Sequence, residues 1–199
     1  MKLIVLDMKR FNTFMFCMFF SFCFSQNKDE YEARINLKEF PERTKSYFNF
    51  ISYDAKYLKF YKEIDNEKQS FEAKFKINKL HYSVEFDTLG NLEDLEIVIK
   101  KKFISKEIFK QIDFYFNSNF KKTRIIKIQK QYVNYTDKSD KYFIQHIVKN
   151  PNNKHTHFEI IAETKTEKKH ELREFTFDRN GLFQKSRLVT SSSYEHALY

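Results

Sequence analysis

The sequence predicts an α+β protein in which one amphipathic helix packs on a four-stranded antiparallel sheet, with the arrangement occurring twice in tandem. Three observations predict it. Apolar residues recur at intervals of three and four in two segments and at intervals of two in most of the others. The order of helix then strands runs through the chain twice. The two glycines among the 199 residues, Gly90 and Gly181, each close a turn of the pattern Phe-Asp-x-x-Gly, at Phe86-Asp87-Thr88-Leu89-Gly90 and Phe177-Asp178-Arg179-Asn180-Gly181. Glycine at a turn supplies a positive φ at no steric cost, so both serve turn geometry and mark corresponding places in the two units.

The first element is a leader. Lys9 and Arg10 precede an apolar run of 11 residues, Phe14 to Phe24, that ends at Cys23-Phe24-Ser25 with small residues three and one positions before a cut at Gln26. This is the layout of a secretory signal peptide, Met1 to about Ser25, and the run is too short to cross a bilayer. Either Met1 or Met8 serves as a start without changing that layout. Gln26 to Asn36 is polar and reads as a short arm. Phe40, Thr44, Tyr47, Phe48 and Ile51 then recur at helical spacing, with Pro41 in the first turn, where its missing N–H costs nothing. Strands follow at about Tyr57–Ile64, Phe71–Ile77, Leu80–Phe86 and Leu95–Ile99, the middle two alternating apolar and polar side chains without a break.

The order then repeats. Ser105 caps a second helix carrying Ile108, Phe109, Ile112, Tyr115 and Phe116 on one side. Strands are expected at Arg124–Tyr135, Lys141–Val148, Phe158–Ala162, Glu171–Phe177 and Leu182–Val189, with Asn150-Pro151-Asn152-Asn153 as a turn. The expected organisation is a leader at residues 1–25, one unit at 30–100, a second at 101–190 and a tail at 191–199.

Composition narrows the function classes. Both cysteines, Cys17 and Cys23, fall in the leader, so the exported chain uses neither a disulfide, a thiolate nucleophile nor a zinc–cysteine site. With 24 Phe and 12 Tyr against two Gly and two Pro, the chain has an aromatic core and is not a low-complexity polymer. The net charge of +9 is spread among alternating Lys, Glu and Asp and is not gathered in one block, which speaks for a mixed-charge surface and against nucleic acid as partner. A phosphate-cradling loop needs closely spaced glycines, which are missing, and no serine lies in a Gly-x-Ser-x-Gly elbow. No catalytic residue and no cofactor is therefore expected. Three imidazoles are the best metal-ligand candidates: His155 and His157 on one strand face, with His146 opposite across the Asn150–Asn153 turn.

Binding chemistry is expected on the sheet. With Leu58, Phe60, Phe71, Phe75, Tyr82, Val84 and Ile97 facing the helices, alternation turns Tyr57, Lys59, Tyr61, Lys74, Lys76, His81 and Glu85 outward, together with Glu63 and Glu72. Tyrosines among mixed charges on an open face are the material of a protein interface. The alternative is an envelope carrier or structural module in which the aromatic excess lines a pocket for a lipid or small apolar ligand.

Three stretches carry a resemblance: Glu39-Phe40-Pro41, Phe71-Glu72-Ala73-Lys74-Phe75, and Tyr82-Ser83-Val84-Glu85-Phe86-Asp87 continued by Gly90-Asn91-Leu92-Glu93-Asp94-Leu95-Glu96. On them, most of residues 30–190 resembles the secreted PepSY-like proteins of Bacteroidetes-type bacteria, whose fold is similar to the β-lactamase inhibitor proteins. The resemblance implies a tandem helix-on-sheet fold, no catalytic residues, and a periplasmic or extracellular module that binds another envelope or secreted protein and inhibits a peptidase or other hydrolase.

Overall fold

The computed structural model describes residues 27–28 and 30–190. The leader and the tail lie outside the described residues. Among the described residues ten strands form a single sheet, so the two expected units are joined in one continuous layer, and the expectation of four strands in each is corrected. In chain order the strands are β1 (Asn27–Lys28), β2 (Glu30–Ile35), β3 (Lys56–Asp65), β4 (Lys68–Ile77), β5 (Leu80–Asp87), β6 (Leu92–Val98), β7 (Lys122–Tyr132), β8 (His157–Lys165), β9 (His170–Asp178) and β10 (Phe183–Val189). Their spatial order is β1-β10-β9-β8-β7-β6-β5-β4-β3-β2. Every pairing is antiparallel except β1 with β10, which is parallel. The β6–β7 pairing, Leu95 to Val98 against Gln129 to Tyr132, fuses the two expected sheets.

The expected polar arm is a strand. Glu30 to Ile35 alternates, with Tyr31, Ala33 and Ile35 on one side, and pairs along its length with β3. The two ends of the sheet are thus occupied by β1 and β2, which a single residue separates in sequence. Consecutive Cα atoms are about 3.8 Å apart, so Lys28 and Glu30 lie within about 8 Å and the sheet is rolled until its edges meet. Arg187 of β10 confirms the closure from the other side: its guanidinium binds Asp65 of β3 at 2.7 Å and Glu174 of β9 at 2.6 Å.

Among the described residues four α-helices cover the convex face: α1 (Glu42–Lys45), α2 (Phe48–Asp54), α3 (Lys106–Asn119) and α4 (Asp140–Lys149). The single helix expected over Phe40–Ile51 is split in two. The Thr44 hydroxyl donates to the Pro41 carbonyl at 2.8 Å and the Tyr47 N–H to the Thr44 carbonyl at 2.8 Å, tightening the chain into a turn that interrupts the helical ladder. α3 falls where the spacing predicts, with the Ser105 hydroxyl accepting from the Ile108 N–H.

α4 replaces the strand expected at Lys141–Val148. Phe143, Ile144, Ile147 and Val148 repeat at three and four, Ser139 caps the helix, and the stripe packs beneath the first half of the sheet. The core there joins Phe40, Phe48, Phe71, Phe86 and Leu95 to Ile144 and Ile147, with Phe40 edge-on to Phe48, Phe60 and Phe71. Under the second half, Ile112 and Phe116 of α3 pack on Phe158, Ile160, Phe175 and Phe177. Leu58, Phe60, Phe71, Phe75, Tyr82, Val84 and Ile97 all sit on this helix-facing side, as the alternation predicts.

Candidate functional site

The helix-free face is concave. Strands β2 to β9 all contribute to a cavity of about 530 Å³ on it, and Glu32 of the edge strand β2 and Glu174 of β9, with six strands between them, line the same space. Tyr57, Lys59, Tyr61, Glu63, Glu72, Lys74, Lys76 and His81, eight of the nine residues expected on the open face, line it together. Their face is therefore not flat: rolling turns it into the wall and mouth of a cavity. Glu85 is on the same face but outside the lining. It sits between Glu72 and Asp94 in cross-strand register, 3.5 Å from the Lys68 ammonium.

Burial grades from mouth to wall. Tyr57 is 74 % exposed, and Lys59 and His81 are exposed beside it at the β4–β5 hairpin end. Glu63, Glu72, Gln129 and Glu174 are buried. Tyr57 stands in a bulge, where the β3–β4 register shifts between Lys56 and Lys59, and its φ of +58° lies in the left-handed region. A bulge re-aims a side chain, and here it directs the ring into solvent.

The wall is a network of compensated charge. The Lys74 ammonium pairs with Glu32 and, at 2.8 Å, with Glu72, and lies 5.1 Å from the centre of the Tyr61 ring. Ser83 donates to Glu72 and Gln129 donates to Glu96. Gln131 donates to Asp94 at 2.9 Å and to Glu159 at 3.0 Å, and its carbonyl oxygen accepts from the His157 Nδ1–H, 3.0 Å away. Burial pushes the Glu72 carboxyl up, but hydrogen bonding with Glu63 and the Lys74 ammonium outweigh it and bring the group down to about 2. Burial raises Glu85 to about 7 against the pull of Lys68. It also raises Asp94 and Glu96 well above the carboxylate range, helped by neighbouring carboxylates, Glu85 and Glu159 for the first, Glu159 and Asp94 for the second.

Carboxylate oxygens of Glu32, Glu63 and Glu72 lie within 4.8 Å of one another, a spacing that fits a cation. The Lys74 ammonium already holds that position, bonded to two of the three, so the cluster is a buried lysine seat. The imidazoles expected as metal ligands are not gathered. His146 is on α4, stacked on Tyr142. His155 precedes β8 and packs its ring 4.2 Å from Phe158 in the convex core, where burial and then Lys130 lower it to about 4. His157, two residues on, points to the concave side at Gln131. The chain is not extended between His155 and His157, so they do not share a face.

No family model matches the chain, and no curated protein matches it. Solved structures do. A protein from Bacteroides eggerthii DSM 20697, described as a candidate periplasmic protein, superposes with a TM-score of 0.50 at 8% identity over 80% of this chain and 98% of that one. A DUF2874 family protein from Bacteroides ovatus ATCC 8483 gives 0.49 at 10% identity, over 75% and 87% of the two chains. A BLIP-like protein from Bacteroides fragilis NCTC 9343 gives 0.46 at 10% identity, over 76% and 88%. The likeness to the Bacteroides eggerthii protein, at 8% identity, is one of fold alone, which by itself assigns no chemistry.

Sequence reasoning missed the far wall of the cavity: Glu32, Glu96, Lys127, Gln129, Glu159 and Glu174. The alternation of β7, β8 and β9 carries the signal for four of them. Their convergence with β3 and β4 depends on the roll of the sheet, and Glu32 depends on recognising β2 as a strand.

Proposed function

We propose that this chain is an exported, non-catalytic binding protein of the PepSY-like, β-lactamase-inhibitor-like type that receives part of an envelope or secreted partner at the mouth of its rolled sheet. The observation that carries this reading is the cavity itself: Tyr57, Lys59, Tyr61, Lys76 and His81 converge at one end of a concave face that no helix among the described residues covers. Aromatic and basic side chains at a concave mouth are favourable material for an interface hot spot. Export rests on the leader at residues 1–25, and the fold likeness to a Bacteroides protein described as a candidate periplasmic protein agrees with it. Inhibition of a peptidase or other hydrolase is the activity the family resemblance implies. The apolar-ligand alternative loses ground, because a lining rich in Glu and Lys has little to offer a lipid tail.

The test is site-specific photocrosslinking in envelope extract, with the crosslinker at Tyr57 or, as a control, at the exposed Phe114 of α3. A discrete adduct from position 57 alone is expected. Equal adducts from both positions, or none from position 57, would overturn the assignment of the mouth.

A further inference from the structure

We propose that the group recognised at the cavity mouth is a carboxylate, supplied by an acidic segment of the partner protein; this rests on the mouth being the binding surface. The wall and the mouth differ in how their charges are met. The acidic wall residues are met from within the wall: Glu32 and Glu72 pair with Lys74, which also feels Glu63, while Glu96 has Gln129, Glu159 has Gln131 and Glu174 has Arg187. No ion pair links Lys59, Lys76 or His81 to another of the described residues.

The register sharpens the contrast. Lys56 stands opposite Lys76, and Lys59 opposite Lys74, so four lysines face one another across β3 and β4. Like charges directly opposite on a sheet repel, and Lys74 alone of the four has carboxylate partners. An incoming carboxylate between Lys59 and Lys76 relieves that repulsion, which carboxylates of the free protein offset at Lys74 alone. Tyr57, turned outward by its bulge, supplies a ring for the neighbouring part of the same segment. The Glu-rich wall behind the lysines repels a long anionic polymer that reaches past the mouth. A short acidic stretch of a polypeptide meets the lysines without reaching that wall, which favours a protein segment over an acidic polysaccharide.

The probe is fluorescein-labelled hexaglutamate, measured by anisotropy at low salt against the full exported chain, with hexalysine and dextran sulfate as comparisons. Because the whole molecule is basic, the decisive variants are matched in charge: Lys59→Glu with Lys76→Glu at the mouth, and Lys106→Glu with Lys110→Glu on α3. Circular dichroism checks that both remain folded. The expected result is hexaglutamate binding weakened at least about tenfold by the mouth pair and less than about twofold by the helix pair, with no hexalysine binding. Equal losses from both pairs, or no hexaglutamate binding, overturn the proposal. Dextran sulfate binding more tightly than hexaglutamate, with the same dependence on the mouth pair, assigns the site to a polysaccharide and overturns the polypeptide choice. If position 57 still crosslinks a partner while hexaglutamate fails to bind, the charge assignment alone falls; if hexaglutamate binds and no adduct forms, the binding-protein reading falls.

Discussion

The two halves of the sheet turn the same corner in the same way and are covered differently. In the first, the Asp87 carboxylate accepts from the Leu89 and Asn91 N–H groups at 2.9 and 2.8 Å; in the second, Asp178 accepts from Asn180 and Leu182 at the same two distances. Gly90 and Gly181 follow with φ of +79° and +85°. Yet the second half is covered by one helix of 14 residues, α3, whereas the first has helices of four and seven residues and needs α4, which lies between β7 and β8 in sequence, to complete its cover. The comparison teaches that a local turn is set by its own residues, while the cover of a sheet is set by how much apolar face is left bare. Whichever segment carries a suitable stripe fills the gap.

The largest effects test this sharing of cover. Phe86 and Phe175 are fully buried in the first and second halves, and truncating either to alanine is expected to cost about 3–5 kcal/mol in a chemical denaturation measurement. Ile147→Ala, in α4, is expected to cost about 2–5 kcal/mol. Its diagnostic is location: hydrogen exchange should speed in β5 and β6, against which α4 packs, and leave β9 near its original rate. Faster exchange in β9 with β5 unchanged would break the comparison by returning α4 to its neighbours in sequence.

A second difference is electrostatic and concentrated in the first half. Glu72, Glu85 and Asp94 stand side by side across β4, β5 and β6. Glu85 is raised from 4.5 to about 7, so the folded state holds its proton longer than the unfolded chain does, and the associated stability is full below about pH 4.5 and lost as pH rises through 7. Asp94 and Glu96, also raised, act with the same sign. Glu72, lowered to about 2, acts oppositely: its contribution is present above about pH 4.5 and lost as pH falls toward 2. Stability should therefore peak near pH 5 and decline toward pH 8. Glu85→Gln should flatten the alkaline decline by an amount on the order of 2 kcal/mol, read from denaturation midpoints at pH 5 and pH 8. An unchanged decline would show that Glu85 is ionised in the folded protein near its ordinary range.

These differences also mark where sequence reasoning reached its limit. Alternation placed Phe71, Phe75, Tyr82 and Val84 on the helix side and Lys59, Lys74 and Lys76 on the other, because one-residue shifts would bury charge without partners. Helical spacing and a capping serine located α3. The strand expected at Lys141–Val148 failed because a short apolar stretch reads as either element, and the 143, 144, 147, 148 stripe with Ser139 before it was the signal for helix. The split of the first helix rests on a hydrogen bond from Thr44, and the cavity rests on the roll. That roll depends on β1 reaching β10 and on Arg187 reaching Asp65, contacts between residues more than a hundred positions apart that no local pattern encodes.

The smallest expected effect distinguishes the twin turns themselves. Any L-residue at Gly90 or Gly181 must adopt a positive φ, which costs about 1–2 kcal/mol at either position. The surroundings then separate them. A Cβ at Gly90 would meet Arg43 Cγ at 2.8 Å, Cγ2 of the fully buried Thr44 at 2.9 Å and Pro41 Cβ at 3.0 Å, all at or beside the short helix α1. At Gly181 the nearest atom would be the backbone carbonyl oxygen of Ile108, at 2.7 Å, which is held in the first turns of α3. Gly181→Ala must therefore press on the backbone of the 14-residue helix α3, where Gly90→Ala presses on side chains of the four-residue helix α1 and on Pro41. The second half should lose more than the first, by about 1 kcal/mol in matched denaturation curves. Equal losses would mean that φ alone sets the cost and that α3 shifts as freely as Arg43; a larger loss at Gly90 would mean that the split helix α1–α2, and not the long one, is the more rigidly seated cover.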